Sequence, residues 1–353
     1  MRIVGLGDIM PGGVLNGSDK AYATQEVFDV LSFGDVRVGT LETAIGNSPT
    51  FYDEKMKRKA DVIYAKDDDI FKLVEMGVDI VSLANNHFFD LGPDGAFHTI
   101  QLLDSLGIKH IGAGRNIEEA SRPAVVEKEG RSYAFIAFCD WREESTGWCP
   151  FAAEESAGVN PMFEDYVLSE IRKNKKKFDY VVVMPHWGKE YDCKPVAYVH
   201  DLVMKMIEAG ANAILGGHTH SAQPSMIIRG TAVVYSLGNF LFPDRLICPP
   251  RSTYYPETPL DLESLPRSYG YPYVTETTLK LWNDIGRHGQ IVTIDISGGT
   301  VTEHHDYTYL DYDNKISISP LPIKYRIKLF VVKSVIRTGL YSRVLNLYSR
   351  IAG

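Results

Sequence analysis

The chain of 353 residues contains four cysteines, Cys139, Cys149, Cys193 and Cys248, and no pair of them has CxxC spacing. They are too few and too scattered for a disulfide framework in a chain this long, so reduced thiols are expected. No apolar run is long enough to span a bilayer. The start, MRIVGLGDIM, enters strand-like residues at once, with no basic n-region, apolar h-region or small-residue cleavage site; the expectation is a cytoplasmic protein. Positive charge is also short. A formal net charge of −8 argues against a duplex nucleic acid as partner. GLGDIMPGG, residues 5 to 13, lacks both the GxGxxG spacing and the lysine-serine/threonine of a P-loop, so nucleotide binding of those kinds is not expected. There is no internal repeat.

What is present is a series of short apolar, β-branched runs: RIVGLG, VRVGTL, VDIVSLA, YAFIAFC, YVVVM, ANAILGG and TAVVYSLG. Helical patterns fall between them near residues 22–33, 67–76, 93–106, 161–177 and 195–209. Pro93 and Pro195 suit first turns, and Gly77, Gly107 and Gly210 suit helix ends. Strands that read as continuous apolar runs, alternating with helices, indicate an α/β fold whose sheets are covered on both faces, over residues 1 to 242. From about 243 to 290 the composition turns to proline, tyrosine and polar residues, which reads as a binding loop or lid. GQIVTIDISGGTVTEHHDYTYL then reads as a hairpin that closes the same sheet system, giving one domain over 1–310 with the insert inside it. Residues 311–353 form a basic tail with a helical pattern. From Lys315 onward it has eight lysines and arginines and no acidic residue, which suits either packing on the domain or peripheral contact with the inner membrane surface.

Several apolar runs end in side chains that bind metals or move protons. RIVGLGD ends at Asp8, VRVGTLE at Glu42, VDIVSLANNH at Asn85, Asn86 and His87, YVVVMPH at His186, and ANAILGGHTH at His218 and His220. Ligands collect outside the carboxyl ends of strands in α/β sheets, so these ends are expected to share one crevice. Each residue taken singly has a structural explanation, as a turn, a cap or a hydrogen-bonded core group. A carboxylate and imidazole set without thiolate suits one or two divalent first-row ions such as Mn, Fe, Co, Ni or Zn, with Glu42 as a bridge. His87 need not be a ligand and fits a general acid. Glu190, four residues after His186, suits a group that orients a ligand or contacts substrate. His98, His110, His200, His288, His304 and His305 lie outside these motifs and read as structural or solvent-facing.

With those residues assembled, the sequence resembles the CapA-type poly-γ-glutamate capsule biosynthesis proteins, a branch of the calcineurin-like metallophosphoesterase superfamily. The resemblance rests on GDIM at 7–10, LET at 41–43, SLANNHFFDLG at 82–92, GAGRN at 112–116, HWGKEY at 186–191, GGHTH at 216–220 and YSLGNFLF at 235–242. It implies a four-layer α/β/β/α sandwich with a dinuclear metal centre. By position, Asp8 and His220 look like ligands of one metal, Asn86, His186 and His218 look like ligands of the other, Glu42 looks like the bridge and His87 resembles the general acid. Asn85, Glu190 and Asn239 fall where groups supporting ligands or meeting substrate are expected. Met10 stands where many of those phosphoesterases carry a further histidine, and Thr40 where the capsule branch often has asparagine. The implied function is metal-dependent hydrolysis, phosphoesterase-like, in capsule or exopolymer biosynthesis. The expected partners are an anionic polymer or phosphoester substrate and the capsule synthesis machinery. The alternative from another class is a non-catalytic, polymer-binding assembly or export factor, with Tyr254, Tyr255, Tyr269, Tyr271 and Tyr273 lining a groove.

Overall fold

The computed structural model describes residues 1–47, 57, 61–142, 149–249, 251–258, 260–270 and 273–345. Two large sheets lie face to face. The first has seven strands, in the order Ile316–Ile318, Thr300–Leu310, His288–Ser297, Arg2–Ile9, Val36–Leu41, Ile80–Ser82, Lys109–Ile111. Its last four strands run parallel to one another. The second has six, in the order Ser225–Ile228, Thr231–Val234, Ala213–Leu215, Tyr180–His186, Arg131–Cys139, Ala124–Lys128, with a parallel centre and an antiparallel strand at each edge.

The apolar runs are continuous because each central strand is buried on both sides. Along Arg131–Cys139 the side chains divide by the two-residue period: Phe135, Ala137 and Cys139 join the core between the sheets, whereas Ile136 and Phe138 join a second core under helices. That outer core is closed by Val167 and Ile171 of helix Glu164–Lys175 and by Val203 and Met206 of helix Ala197–Ala209. Gly210, at φ 111°, ends the latter in the left-handed region that glycine tolerates. Helices Gln25–Ser32 and Gly92–Ser105 cover the first sheet through Val27, Leu31 and Leu103. The layers are therefore α/β/β/α, the fold class that the sequence pattern and resemblance imply.

Several expectations are sharpened. The hairpin is present, with Ser297 opposite Thr300, and it extends the first sheet. The two antiparallel edge strands of the second sheet, Ala124–Lys128 and Ser225–Ile228, went unread because they are short and only half-buried or mixed in burial. The segment expected to be a loop or lid instead holds a four-stranded sheet of its own, in the order Ser252–Thr253, Arg245–Cys248, Thr278–Leu281, Arg267–Tyr269. Its strands are two to four residues long, too short for a periodic pattern to register. The tail forms helix Ile323–Arg337, which packs on the domain through Tyr325, Leu329 and Ile336. Its outward side carries exposed Ile323, Ile327, Phe330 and Val331. Among the described residues no helix is long and apolar enough to cross a membrane.

The segment Leu237–Phe240 crosses the end of the first strand and ties the two sheets together. The Asp8 amide donates to the Gly238 carbonyl at 2.9 Å, and the Phe240 amide donates to the Asp8 carbonyl at 2.9 Å. This crossing leaves no room at Gly7, where a Cβ would overlap the Gly238 carbonyl, whereas a Cβ at Gly5 would meet the Leu215 methyls at 3.2 and 3.3 Å and the Val292 carbonyl at 3.5 Å. Gly7→Ala is therefore expected to lower the unfolding free energy by about 3 kcal/mol, and Gly5→Ala by clearly less, in urea denaturation followed by circular dichroism.

Candidate metal centre

The parallel strands of both sheets deliver their carboxyl ends to one place between the layers. Isolated bridges join Asp8 to Asn239 and His186 to Gly217 across that meeting point. Asp8, Glu42, Asn85 and His218 are 0% exposed, and Asn86, His87, His186, His220 and Asn239 are 6% exposed or less. All nine surround a single centre, as the strand-end pattern implies.

Two groups of three donors stand there, Glu42 with His186 and His218, and Asp8 with Glu42 and His220. Within each group the donor atoms lie within 4.8 Å of one another, and Glu42 belongs to both. Glu42 Oε1 is 3.4 Å from His186 Nε2 and 3.8 Å from His220 Nε2. Asn86 Oδ1 lies 2.9 Å from His186 Nε2, on the side of the first group. The other ring nitrogen of His220 sits 2.8 Å from Asn239 Oδ1, and the Asn239 amide donates to the Gly286 carbonyl at 2.8 Å, which fixes the imidazole with Nε2 toward Glu42.

The loop that carries two of the histidines is conformationally forced. His218 has φ 85° and His220 φ 49°, both in the left-handed region that non-glycine residues seldom occupy. Such conformations cost about 1–3 kcal/mol each and persist at sites where the surroundings over-determine them. Here the His218 amide donates to Asp8 Oδ2 at 3.0 Å, and the Tyr191 amide donates to the Thr219 carbonyl at 2.8 Å. Gly217 lets the loop come close: a Cβ there would stand 2.6 Å from Asp8 Oδ1 and 3.4 Å from His186 Nδ1.

The electrostatics fit a cation. Burial pushes the Asp8 carboxyl from 3.8 up to about 8, against the pull of the His218 amide and with a further push from Glu190. Burial, then the neighbouring imidazoles, hold His186 and His220 well below the usual histidine value, so both are neutral and in the form that binds metals. Asp8 Oδ1 and His186 Nδ1 are buried and find no hydrogen-bond partner among the described residues. Buried carboxylates cost several kcal/mol each unless compensated, and this oxygen and nitrogen set is of the kind that could hold a divalent ion as that compensation.

His87 stands beside the centre and is held differently. Its Nδ1 lies 2.7 Å from Asp90 Oδ2, and the same oxygen accepts from the Ile63 amide at 2.6 Å. Asn85 braces the turn, donating to the Leu41 carbonyl at 2.8 Å while its Oδ1 accepts from the His87 amide at 3.0 Å. Asp90 was missed in the sequence although it lies three residues after His87, within HFFDLG; the signal was present in the spacing. Glu190 is half-buried near Asp8, where its charge is felt, and it has no role in either donor group. Met10 is fully buried in the apolar core and gives the Asp8 group no further imidazole. Tyr255 is half-buried, accepting from the Gly13 amide at 2.9 Å and donating to the Tyr64 carbonyl at 2.8 Å. Tyr271 lies outside the described residues. The remaining histidines are elsewhere; His98, for example, pairs with Asp67 at 2.9 Å and His200 with the Tyr235 hydroxyl at 2.6 Å.

The four-layer sandwich thus encloses two groups of buried His, Asp and Glu donors that could hold a metal ion, with Glu42 common to both. The model of the family described as "Bacterial capsule synthesis protein PGA_cap" matches residues 2–244, and the chain belongs to that family. It is 32% identical over 248 residues to the capsule biosynthesis protein CapA of Bacillus anthracis, covering 67% of this chain and 58% of that one. It is 30% identical over 247 residues to the PGA biosynthesis protein CapA of Bacillus subtilis, covering 67% and 62%. The matched region thus spans about three-fifths of each of these relatives. A solved structure of a hypothetical protein from Thermus thermophilus is similar with a TM-score of 0.47 at 15% identity, covering 87% of this chain and 99% of that one.

The Asp8 carboxyl carries a pH signature. Its raised value means that the folded, metal-free protein keeps a proton that the unfolded chain gives up near 3.8. The contribution is fully present below that pH and lost as pH rises to about 8, where the folded carboxyl ionises. Asp8→Asn is therefore expected to be increasingly stabilising relative to the chelated wild type from pH 4 to pH 8, while lowering metal content; parallel melting curves across that range check it.

Proposed function

We propose that the protein is a metal-dependent hydrolase of the metallophosphoesterase type that acts on an anionic polymer or its phosphoester precursor during capsule biosynthesis of the poly-γ-glutamate kind. The observation that carries this reading is Glu42, a fully buried carboxylate common to both donor groups. The names of the Bacillus relatives support the biosynthetic setting.

In this reading Asn86, His186 and His218 would hold one divalent ion and Asp8 and His220 the other, with Glu42 available to both. A pair of first-row ions so placed would supply Lewis-acid polarisation and activation of water. The chain itself does the rest. Asp90 holds His87 by Nδ1, so the proton available for a leaving oxygen is the one on Nε2, and the carboxylate steadies the imidazolium form before transfer. Asn239 keeps His220 in one orientation, and Asn85 keeps the His87 turn against the Glu42 strand. Burial of the whole set excludes bulk water from competing reactions and strengthens each charge interaction.

A second reading, a polymer-binding assembly or export factor without turnover, is favoured by Met10, whose burial in the core leaves the Asp8 group with three donors. The two readings part at His87. His87→Ala is expected to lower turnover about 10²–10⁴-fold with metal content unchanged, measured on phosphomonoester, phosphodiester and γ-glutamyl substrates after purification without chelator. Exhaustive chelation should abolish the activity and first-row metals restore it. Activity that survives chelation, or an unaffected His87→Ala enzyme, contradicts the hydrolase reading; polymer binding without turnover of any substrate establishes the second.

A further inference from the structure

The helix Ile323–Arg337 has two apolar faces, and the fold uses one of them. Tyr325, Leu329 and Ile336 turn inward and are buried. Tyr325 and Leu329 pack with Cys193 on the segment that follows His186, and just beyond the helix the Tyr341 hydroxyl donates to the Pro195 carbonyl at 2.7 Å. The opposite face is open to solvent: Ile323, Ile327, Phe330 and Val331 are 52% to 73% exposed. Their spacing, i, i+4, i+7 and i+8, is that of a single stripe along the helix. Scattered exposed apolar residues are ordinary, but four in one stripe mark an interaction surface.

The stripe and its borders together select the kind of partner. Ser334 is the hydroxyl within the stripe, and it donates back to the Phe330 carbonyl at 2.8 Å, which uses its proton inside the helix. Helical periodicity places Arg326, Lys333 and Arg337 along one border of the stripe and Lys324 and Lys328 along the other. Lys324 is matched by Asp284 at 2.6 Å and Lys333 is attracted by Glu303, whereas Arg326, Lys328 and Arg337 form no ion pair among the described residues. A groove of about 560 Å³ beside the stripe is lined by Tyr307, Arg326, Phe330 and Lys333 among others, and by no carboxylate. From Lys315 to the end of the sequence there are eight lysines and arginines and no acidic residue, in a chain where acidic residues outnumber basic ones 45 to 37. Positive charge is thus gathered in the segment that carries the stripe.

We propose that this face of the helix docks on a bilayer surface containing anionic phospholipids, with Ile323, Ile327, Phe330 and Val331 at the acyl boundary and the bordering cations among the headgroup phosphates. An apolar stripe between cationic borders lies in the plane of such an interface, and the apolar and electrostatic contributions add. At fifteen residues the helix is about 22 Å long, a length that lies on the surface. Cations on both borders suit a planar sheet of phosphates, which meets the helix from both sides, better than the acidic face of a single protein. Because the inward face is fastened to the segment after His186, docking would hold the whole domain in one orientation to the lipid. The inference is independent of whether the donor groups bind metal.

The test is co-sedimentation of the full chain with vesicles of phosphatidylcholine alone and of phosphatidylcholine with about 30% phosphatidylglycerol, at about 0.1 and 0.5 M salt. Wild type is expected to bind the anionic vesicles at least tenfold more tightly than the neutral ones, and more weakly at the higher salt. Ile327→Ser with Phe330→Ser, and Arg326→Gln with Arg337→Gln, are each expected to lower that affinity about tenfold with the melting temperature unchanged, since all four side chains face solvent. Phe33→Ser removes a phenylalanine that is 63% exposed outside this helix and is expected to leave binding as it was. No binding to anionic vesicles, equal binding to neutral ones, unchanged affinity in either double variant, or an equal loss in Phe33→Ser overturns the proposal. So does a wild type that is dimeric in sedimentation equilibrium and that anionic vesicles fail to dissociate, with the Ile327→Ser, Phe330→Ser variant monomeric: a second copy of the chain then covers the face.

Discussion

The burial of Glu42 is the constraint around which the rest of the molecule is arranged. A carboxylate with no exposed surface, 3.4 Å from one imidazole and 3.8 Å from another, is a costly thing to place at the seam of two sheets. Burial holds both of these imidazoles, His186 and His220, in their uncharged forms. The buried carboxyl groups of Glu42 and Asp8, set among uncharged imidazoles, form a site suited to a cation within the apolar packing that surrounds them. The histidines that share the seam are the ligands such a cation prefers.

Meeting that demand requires elements far apart in the chain to converge closely, and the backbone accepts strain to do so. The turn through His218 and His220 holds two side chains in left-handed conformations, and Gly217 admits the approach of Asp8 and His186. The Leu237–Phe240 crossing, pinned to both the amide and the carbonyl of Asp8, delivers Asn239 behind His220. The general-acid candidate is held separately: His87 is anchored by Asp90 and belongs to neither donor group, so in the proposed reading proton transfer and ion binding would use different imidazoles.

Most of the fold and the donor set could be read from residues alone, for a physical reason. Central strands buried on both faces leave continuous apolar runs, and a polar residue ending such a run, as in YVVVMPH or ANAILGGHTH, is conspicuous against them. What could not be read came from elsewhere. Arg245 and Lys280 meet Asp61 across 184 and 219 residues of chain, in strands of four residues whose composition suggested a loop. Nothing local marks such a pairing. Asp90 is the opposite case: it lies three residues from His87, so its pairing is local in the chain. Tyr255, in the tyrosine-rich segment, makes a pairing of the same long-range kind: half-buried, its hydroxyl joins the Gly13 amide to the Tyr64 carbonyl.

The central claim, that one buried carboxylate serves two ions, is tested most directly by metal stoichiometry. Wild type and Glu42→Gln, purified without chelator and loaded with Mn, Fe or Zn, would be compared by elemental analysis per folded chain. The account predicts two ions in wild type and loss of both in Glu42→Gln, because the amide keeps the shape and removes the charge that each donor group shares. Equal stoichiometry in the two proteins, or a folded wild type that takes up no first-row metal, would contradict it.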